Sequence, residues 1–466
     1  MMNTRVVIGL AGFGTIGTGV VKTIQEKAQL LKDRTGYDFE IARIADLDLK
    51  RDRGIKVPAS VLTDDIDRLL DDDAIDVFVE LIGGVHPARE FIVKAMQKGK
   101  SVVTANKALL ASHGAELFRI ADEHGVYLGF EASVGGGIPI INALTNSLVA
   151  NRFLSISAII NGTSNYILSK MTSGGGEFED VLAEARAHGY AEANPSLDVD
   201  GIDAAHKLTI LLVLAYGGQV PVKDVYVEGV RDITQLDIKF ADELGYVIKQ
   251  LAIAKAEGHL SAETHKHSGV QAHAVSARVH PAMVAKGSIM SMINDVYNGI
   301  HVVGDAIGSQ LFIGKGAGMM PTASAVVGDI VEISKKLKQK GTVVPGGSGQ
   351  GIYKSHPFLS GQRDGQGPRQ ELLITDIGHI RTSYYLRFTV LDKPGVLAGI
   401  TKVLGMHDIS IESVIQKGRS AEKFVPVVIM THDAAEENMR KALDIIDRLS
   451  VVKEKTKLIR IEKEVI

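Results

Sequence analysis

The chain carries Gly12-Phe13-Gly14-Thr15-Ile16-Gly17 near its beginning, and this run fits the pattern G-x-G-x-x-G. It follows an apolar strand pattern, Val6–Ala11, and opens a helical pattern, Thr15–Leu31. In such a loop the first glycine permits a tight turn, the second lets a pyrophosphate approach the backbone, and the third allows close packing of helix on strand. The N–H groups at the start of the helix then face the phosphate oxygens. The run predicts a dinucleotide-binding loop, with a purely structural glycine turn as the alternative.

The first 135 residues alternate short apolar strands with helical stretches. Near-continuous apolar strands separated by helices are typical of a parallel sheet covered on both faces. We therefore expect a Rossmann-type, doubly wound α/β domain over residues 1–135. The predicted strands are Val6–Ala11, Phe39–Ala45, Asp76–Ile82, Ser101–Thr104 and Val126–Phe130, and the predicted helices are Thr15–Leu31, Pro87–Lys98 and Leu109–His124.

The pattern changes twice after this domain. Residues 136–305 alternate less regularly, which predicts an α+β domain with strands at Phe153–Ile160, Val225–Val230, Tyr246–Lys255 and Gly269–Val279. Residues 341–381 are dense in Gly, Pro, Gln and Ser and predict a linker. The order βαββαβ over residues 382–466 is the ferredoxin-like arrangement, which predicts a third domain.

The composition excludes several classes of function. With 52 basic and 55 acidic residues the formal net charge is −3, too little positive charge for binding nucleic acid or a membrane surface. The absence of cysteine excludes disulfides, cysteine nucleophiles and thiolate metal sites. Glycines interrupt the apolar N-terminal stretch, unlike a signal peptide or membrane helix, so we expect a cytoplasmic protein.

The sequence leaves the choice between NAD and NADP open. A carboxylate at the end of the second strand should meet the ribose 2′-hydroxyl, and Asp46 or Asp48 fits that place. However, Lys50, Arg51 and Arg53 follow at once, and these could hold a 2′-phosphate. A solvated basic loop is the alternative interpretation of the three cations.

A predicted helix that ends at about Tyr216 carries a carboxylate and an ammonium, although it has no polar face on which they could lie. Asp203 and Lys207 are four residues apart and share a face. Apolar side chains surround them on every side, and a helix that is apolar all round is buried. Because buried charges are costly and cluster at functional sites, Asp203 and Lys207 are candidates for proton transfer rather than an ordinary exposed ion pair. No other buried polar pair is evident in the sequence.

Three further turns are candidates for the same site. Lys107 ends the strand-to-helix turn Val102–Lys107 at the carboxyl edge of the first sheet, where such folds bind ligands, although a simple helix-start lysine is the alternative. The turns Glu131–Pro139 and Asn161–Asn165 follow strands, and a hinge or plain loop is the alternative for both.

Together these motifs make the chain similar to homoserine dehydrogenases that carry a C-terminal ACT regulatory domain. The resemblance covers essentially the whole length and is most specific in Gly189–Lys207. It implies reversible NAD(P)H-dependent reduction of L-aspartate 4-semialdehyde to L-homoserine, in threonine and methionine biosynthesis. It also implies that residues 136–305 bind substrate and form the dimer, and that residues 306–340 complete the first domain. The departures are Asn194 in place of an aspartate, and Lys315, Met319 and Met320 in the returning segment.

The resemblance also assigns roles to residues. The catalytic residues would be Lys207, Lys107 and Asp203, with either lysine as the proton donor. The substrate-binding residues would be Glu192, Asp198, Gly162 and Thr163. The cofactor-binding residues would be Gly12, Phe13, Gly14, Thr15, Ile16, Gly17, Asp46, Lys50, Arg51, Thr104, Asn106, Lys107 and Gly316. A monovalent cation, Na⁺ or K⁺, would be held by Glu131 with the carbonyls of Val134, Gly136 and Ile138.

In the third domain the resemblance implies an amino-acid effector site. Asp392, Gly395, Val396 and Leu397 would form its turn, and the helix N-terminus there can receive a carboxylate. Threonine, the end product of the pathway, is the expected inhibitor. ACT domains usually pair edge to edge, so a homodimer or homotetramer is expected.

Two rival functions remain at this stage. Another ACT-bearing dehydrogenase would rely on a histidine paired with a carboxylate or an arginine, which this sequence does not present. A non-catalytic amino-acid sensor on the same scaffold should have lost Lys107 or Lys207, and both are present.

Overall fold

A computed structural model describes residues 5–218, 220–257, 272–339, 371–417 and 423–463. The strands are β1 Arg5–Ala11, β2 Asp38–Ala45, β3 Leu62–Thr63, β4 Val77–Glu80, β5 Ser101–Thr104, β6 Leu128–Gly129, β7 Phe153–Ile159, β8 Tyr226–Val227, β9 Tyr246–Glu257, β10 Ala272–Ala285, β11 Tyr297–Gly304, β12 Gly308–Lys315, β13 Glu371–Thr375, β14 Arg381–Leu391, β15 Ile411–Gln416, β16 Phe424–Thr431, β17 Ala434–Ala435 and β18 Lys457–Ile461. The helices are α1 Thr15–Glu26, α2 Ala28–Thr35, α3 Asp67–Leu70, α4 Ala88–Gln97, α5 Lys107–Glu123, α6 Ile140–Asn142, α7 Gly162–Gly174, α8 Phe178–Ala187, α9 Ser196–Val199, α10 Ile202–Tyr216, α11 Gln235–Glu243, α12 Met319–Gln339, α13 Val396–Met406 and α14 Glu436–Ile446.

The N-terminal domain is the predicted doubly wound α/β domain. Its six strands are parallel in the order β3-β2-β1-β4-β5-β6, so the sheet reverses its strand order beside β1. Strands β4 and β5 are buried along their whole length, which explains their continuous apolar patterns. The predicted helix Thr15–Leu31 is two helices, because the chain leaves helical geometry at Lys27, between α1 and α2.

A second sheet spans the rest of the described chain. Its main path is β12-β11-β7-β9-β10-β18-β14-β16-β15. Strands β11 and β12 were not predicted from the sequence pattern, and they pair with each other at one end of this sheet. Because β12 belongs to the second sheet, the chain returns to the first domain after Lys315 rather than at residue 306. The returning helix α12 then packs on α1, where a Cβ on Gly19 would lie 2.9 Å from the carbonyl oxygen of Met319.

The predicted linker is shorter than expected. Residues 371–375 form β13, which pairs in parallel with β10, so this end of the glycine-rich segment belongs to the second sheet. Residues 341–370 of the predicted linker lie outside the described residues. The predicted strand Val225–Val230 shortens to β8, and the predicted last strand Val451–Ile461 shortens to β18.

The C-terminal domain has the predicted βαββαβ order of β14, α13, β15, β16, α14 and β18. Strand β18 pairs with β14 within this domain and with β10 of the preceding one. Other buried ion pairs lie at the same junction, contrary to the expectation that Asp203–Lys207 would be alone. Arg387 contacts Asp237, with 2.7 Å between Nε and Oδ1, and Arg460 lies between Glu436 and Glu228. The sequence could not reveal these pairs because their partners are distant along the chain.

Among the described residues, none of the helices combines the length and the apolar character that crossing a membrane requires.

Candidate active site

The glycine loop has the geometry that a phosphate-binding turn requires. Gly12 has a φ of +98°, and a Cβ there would lie 2.5 Å from the carbonyl oxygen of Leu81. A Cβ on Gly17 would lie 2.1 Å from the carbonyl oxygen of Gly12. A Cβ on Gly14 would meet nothing within 4 Å, and no side chain caps the helix that begins at Thr15. The loop therefore fits a dinucleotide: two glycines close the turn, and the open face at Gly14 leaves room for a pyrophosphate.

The loop after β2 uses Asp46 as a scaffold. Its carboxylate accepts hydrogen bonds from the backbone N–H of Phe13 at 2.6 Å and of Asp48 at 2.8 Å. The Arg53 guanidinium lies 3.3 Å from the same carboxylate and 4.5 Å from the centre of the Phe13 ring. By contrast, Lys50 and Arg51 are exposed. Asp46, one of the two carboxylates predicted to bind the ribose hydroxyl, is thus hydrogen-bonded within the protein. The exposed cations Lys50 and Arg51 follow it in the same loop.

The structure brings the three predicted catalytic residues together. Asp203 bridges two ammonium groups, with 2.8 Å between Oδ1 and Lys107 Nζ and 2.7 Å between Oδ2 and Lys207 Nζ. Lys207 also donates to the carbonyl oxygen of Ile160 at 2.7 Å. The side chains of Asp203 and Lys207 are 6% and 10% exposed, whereas that of Lys107 is 42% exposed. Lys107 is therefore the ammonium of this cluster that faces solvent.

Three elements from two domains position this cluster. Lys107 begins α5 directly after β5, at the carboxyl edge of the parallel sheet. Asp203 and Lys207 lie one turn apart on α10, which is buried along most of its length as its apolar pattern predicted. The turn that precedes α10 contains Gly201 with a φ of +86°, and a Cβ there would lie 3.0 Å from Val227.

The charges of the cluster are unequal, and this separates the two lysines. Burial alone would raise the pKa of Asp203, but the two ammonium groups outweigh it and hold that pKa well below its ordinary value. Burial lowers the pKa of Lys207, and the nearby Lys107 lowers it further against the opposing effect of Asp203. Burial alone would lower the pKa of Lys107, but its hydrogen bond and attraction to Asp203, together with the charges of Asp198 and Glu192, outweigh burial and raise that pKa. Lys107 is the firmly charged member.

The predicted substrate residues surround the cluster. Asn161 donates from Nδ2 to Asp198 and to Asp203, both at 2.8 Å. The sequence had indicated this residue only as part of a turn. The Thr163 hydroxyl donates to the carbonyl oxygen of Tyr190 at 2.7 Å and lies 3.2 Å from Asp198. Glu192 is exposed and close enough to raise the pKa of Lys107. Asn161 could have been noticed in the sequence as a helix cap, because its side chain accepts from the N–H of Ser164.

Thr104 and Asn106, two of the predicted cofactor-binding residues, make hydrogen bonds within the protein. Thr104 is fully buried and donates its hydroxyl to Glu80 at 2.6 Å. Asn106 caps α5 by accepting from the N–H of Leu109, and it donates to the carbonyl oxygen of Gly84 at 2.5 Å. Their side chains are thus engaged in fixing the turn that carries Lys107.

The turn Glu131–Pro139 meets the returning segment. Glu131 is buried, and its two carboxylate oxygens each accept a 2.8 Å hydrogen bond from the N–H groups of Ile141 and Asn142. Burial raises the pKa of Glu131 to about 7 against these two hydrogen bonds. Gly136 has a φ of +57°, and a Cβ there would lie 2.6 Å from the carbonyl of Gly316. Val134 and Ile138 are buried beside them. Gly316 is therefore packed onto this turn.

The predicted effector turn opens helix α13. Gly395 has a φ of +87° and precedes the helix without any side-chain cap, which leaves backbone donors for a carboxylate. Val396 is 9% exposed and Leu397 is 37% exposed. Asp392 donates its N–H to the carbonyl oxygen of Lys423 at 2.9 Å.

Comparison with known proteins identifies the chain. Family models match three segments: the NAD-binding domain of homoserine dehydrogenase over residues 12–131, homoserine dehydrogenase over 139–331, and the ACT domain over 384–451. The homoserine dehydrogenase of Synechocystis sp. is 41% identical over 457 residues, covering 97% of this chain and 99% of that protein. The Helicobacter pylori homoserine dehydrogenase is 40% identical over 461 residues, covering 99% and 100%.

Solved structures agree with these relatives. A homoserine dehydrogenase from Thiobacillus denitrificans superposes with a TM-score of 0.86 at 38% identity, covering 98% of each chain. A hyperthermophilic archaeal homoserine dehydrogenase in complex with NADPH has a TM-score of 0.59 at 26% identity, covering 71% of this chain and 98% of that one. The chain belongs to the homoserine dehydrogenase family and ends in an ACT domain.

Proposed function

We propose that the cluster of Lys107, Asp203 and Lys207 moves the proton in the interconversion of L-aspartate 4-semialdehyde and L-homoserine. The observation that carries this proposal is the carboxylate of Asp203, which lies within 2.8 Å of both ammonium groups. Asp203 is shared between two ammonium groups, so Lys107 presents a positive charge where a negatively charged oxygen develops during reduction.

Lys107 is the proposed proton donor. A bound nicotinamide would supply the hydride that reaches the aldehyde carbon of the substrate. The Lys107 ammonium protonates the resulting alkoxide oxygen, and its raised pKa keeps it charged until that moment. Asp203 holds the ammonium in place, and Lys207, anchored to Ile160, fixes Asp203 from the buried side. Because Lys107 is partly exposed, solvent can restore its proton.

The substrate would lie between this cluster and the turn at Gly162 and Thr163. Glu192 and Asp198 supply the negative charge that suits the amino group of homoserine. Asn194 in place of an aspartate leaves that pocket less acidic than the family pattern implies.

For the cofactor we propose NADP rather than NAD. Asp46 is already paired with Arg53 and with two backbone N–H groups, so its carboxylate is a poor acceptor for a ribose hydroxyl. Lys50 and Arg51 are exposed beside it and suit a 2′-phosphate. The archaeal homoserine dehydrogenase that binds NADPH supports the same choice.

Three finer assignments rest on the family resemblance. We propose a Na⁺ or K⁺ site at Glu131 and the carbonyls of Val134, Gly136 and Ile138. Each Glu131 oxygen accepts one backbone hydrogen bond, which leaves further lone pairs for a cation. We propose L-threonine as an inhibitor bound at the α13 turn, and a homodimer or homotetramer paired through ACT sheets.

The deciding experiment follows the near-ultraviolet absorbance of the reduced cofactor with L-homoserine, in parallel with NAD and with NADP. Growth of the signal with NADP at a lower cofactor KM would support the reaction and the cofactor choice together. Faster turnover with NAD would overturn the cofactor choice alone. Absence of turnover with both, from folded protein supplied with Na⁺ and with K⁺, would overturn the substrate.

The same assay tests the finer assignments. Removing monovalent cations should slow turnover, and Glu131→Gln should abolish the difference between buffers with and without them. Millimolar L-threonine should lower the rate, and Gly395→Ala should weaken that inhibition, because an alanine is strained at a φ of +87°. Unchanged rates under either treatment would remove the corresponding assignment.

A further inference from the structure

Lys249 is a buried cation outside the proposed proton-transfer cluster. It lies in β9, is 2% exposed, and donates from Nζ to the carbonyl oxygen of Ile293 at 2.7 Å and to Oδ1 of Asn294 at 2.8 Å. Its third acceptor is Oδ1 of Asn165, at 3.3 Å. Taking an ammonium out of water is costly, so three oxygens converging on one nitrogen indicate that this lysine fixes the groups around it.

Asn165 reinforces the same attachment. From α7 its Nδ2 contacts the carbonyl oxygens of Ile293, Asp295 and Tyr297 at 3.0–3.1 Å. Asp295 has a φ of +55°, an uncommon conformation for a residue other than glycine, and it is held there by these contacts. Residues 293–297 are therefore bound to both β9 and α7.

The bound segment touches the turn that faces the substrate. The carbonyl oxygen of Val296 would lie 3.3 Å from a Cβ on Gly162, so the segment sets how far this turn can move. Asn161, the residue before Gly162, donates to Asp198 and Asp203. A continuous series of contacts thus connects Lys249, through residues 293–297, to the turn beside the proton-transfer cluster.

We propose that Lys249 is a positioning residue for substrate binding. Its ammonium holds residues 293–297 against Gly162, which keeps Asn161 and Thr163 at the correct distance from Asp198 and Asp203. This inference rests on the proposed function, because it takes the turn at Gly162 to contact homoserine. It predicts that loss of the ammonium weakens homoserine binding more than it affects the cofactor.

A matched control exists in Lys100. Lys100 is 3% exposed and donates to two carbonyl oxygens, those of Asp72 at 2.6 Å and Ile75 at 3.5 Å. It precedes β5, at the opposite edge of the first sheet from Lys107. Lys249→Met and Lys100→Met should both lower Tm. Only Lys249→Met should raise the KM for homoserine, by about tenfold or more, with the KM for NADP changed less than about twofold.

A second variant guards against failure to fold. Asn294 is exposed, so Asn294→Ala removes one acceptor of Lys249 without opening the core. It should raise the homoserine KM by about two- to fivefold and shrink the rise in Tm that homoserine gives the wild type. Lower Tm with an unchanged homoserine KM in both variants would overturn the inference while leaving the proposed function intact. Absence of homoserine turnover, and of any Tm rise, in the wild type would overturn both.

Discussion

Two of the buried charge clusters among the described residues differ in what they leave unsatisfied. Around Asp203 two ammonium groups share one carboxylate, and one of them, Lys107, is partly exposed. Around Arg460, which is 2% exposed, the guanidinium contacts the carboxylates of Glu436 and Glu228 and the Tyr226 hydroxyl. The first cluster has unequal charges and an opening at Lys107. In the second cluster Arg440 also pairs with Glu436, so two guanidinium groups match two carboxylates. An unbalanced, accessible cluster suits chemistry, whereas a balanced one joins domains.

The largest effect that would test this contrast is on turnover. Lys107→Met and Lys207→Met should each lower kcat/KM for homoserine by about 10²- to 10⁴-fold, the usual contribution of a positioned proton-transfer group. Initial rates over a range of homoserine and NADP concentrations give the values. Arg460→Met, assayed identically, should retain kcat within about tenfold where the protein is folded. Wild-type kcat/KM in Lys207→Met would remove that residue from the mechanism.

The next effect is on stability, and here the larger loss is expected at the Arg460 cluster. Arg460→Met leaves Glu436 buried without its main partner, which should reduce the free energy of unfolding by about 3–5 kcal/mol. Urea unfolding of the full chain measures it. Arg231→Met is the matched control, because its pair with Asp200 is 38% and 43% exposed, and it should cost at most about 1 kcal/mol. Equal losses in the two variants would contradict the distinction between the clusters.

The smallest effect is on the pH dependence of stability. The lysines hold the pKa of Asp203 below its ordinary 3.8 despite burial, so its contribution is fully present above about pH 4 and is lost as the pH falls through the depressed value. Asp203→Asn should therefore be less stable than the wild type at pH 5 by about 1–3 kcal/mol. That difference should shrink towards pH 2–3, as followed by Tm. A difference that stays constant over this range would mean that the charge of Asp203 does not stabilise the fold.

The two clusters also differ in whether the sequence could predict them. Asp203 and Lys207 are four residues apart on an apolar helix, so local periodicity was enough to predict a buried pair. Glu228 and Arg460 are separated by 232 residues, and no local pattern connects them. The glycine loop was recognisable for the same reason as the first pair, because its glycines follow one another within six residues.

Other features depended on contacts that a sequence does not display. Strand β13 forms from a glycine-rich segment only because β10 is there to pair with it. The hydrogen bond from Thr104 to the buried Glu80 joins residues 24 positions apart, on different strands. The pairing of Arg53 with Asp46 depends on the course of the turn between them, which was not predictable.

Strand β18 joins two domains within one continuous sheet, through its pairs with β14 and with Ala282 and Met283 of β10. The ACT domain is consequently not a detachable module. A chain shortened before residue 371 would leave Met283 and Glu228 without the residues that cover them. An apolar side chain and a carboxylate would then be exposed on one surface. Removing the ACT domain from this chain therefore calls for redesigning that edge, not merely for trimming.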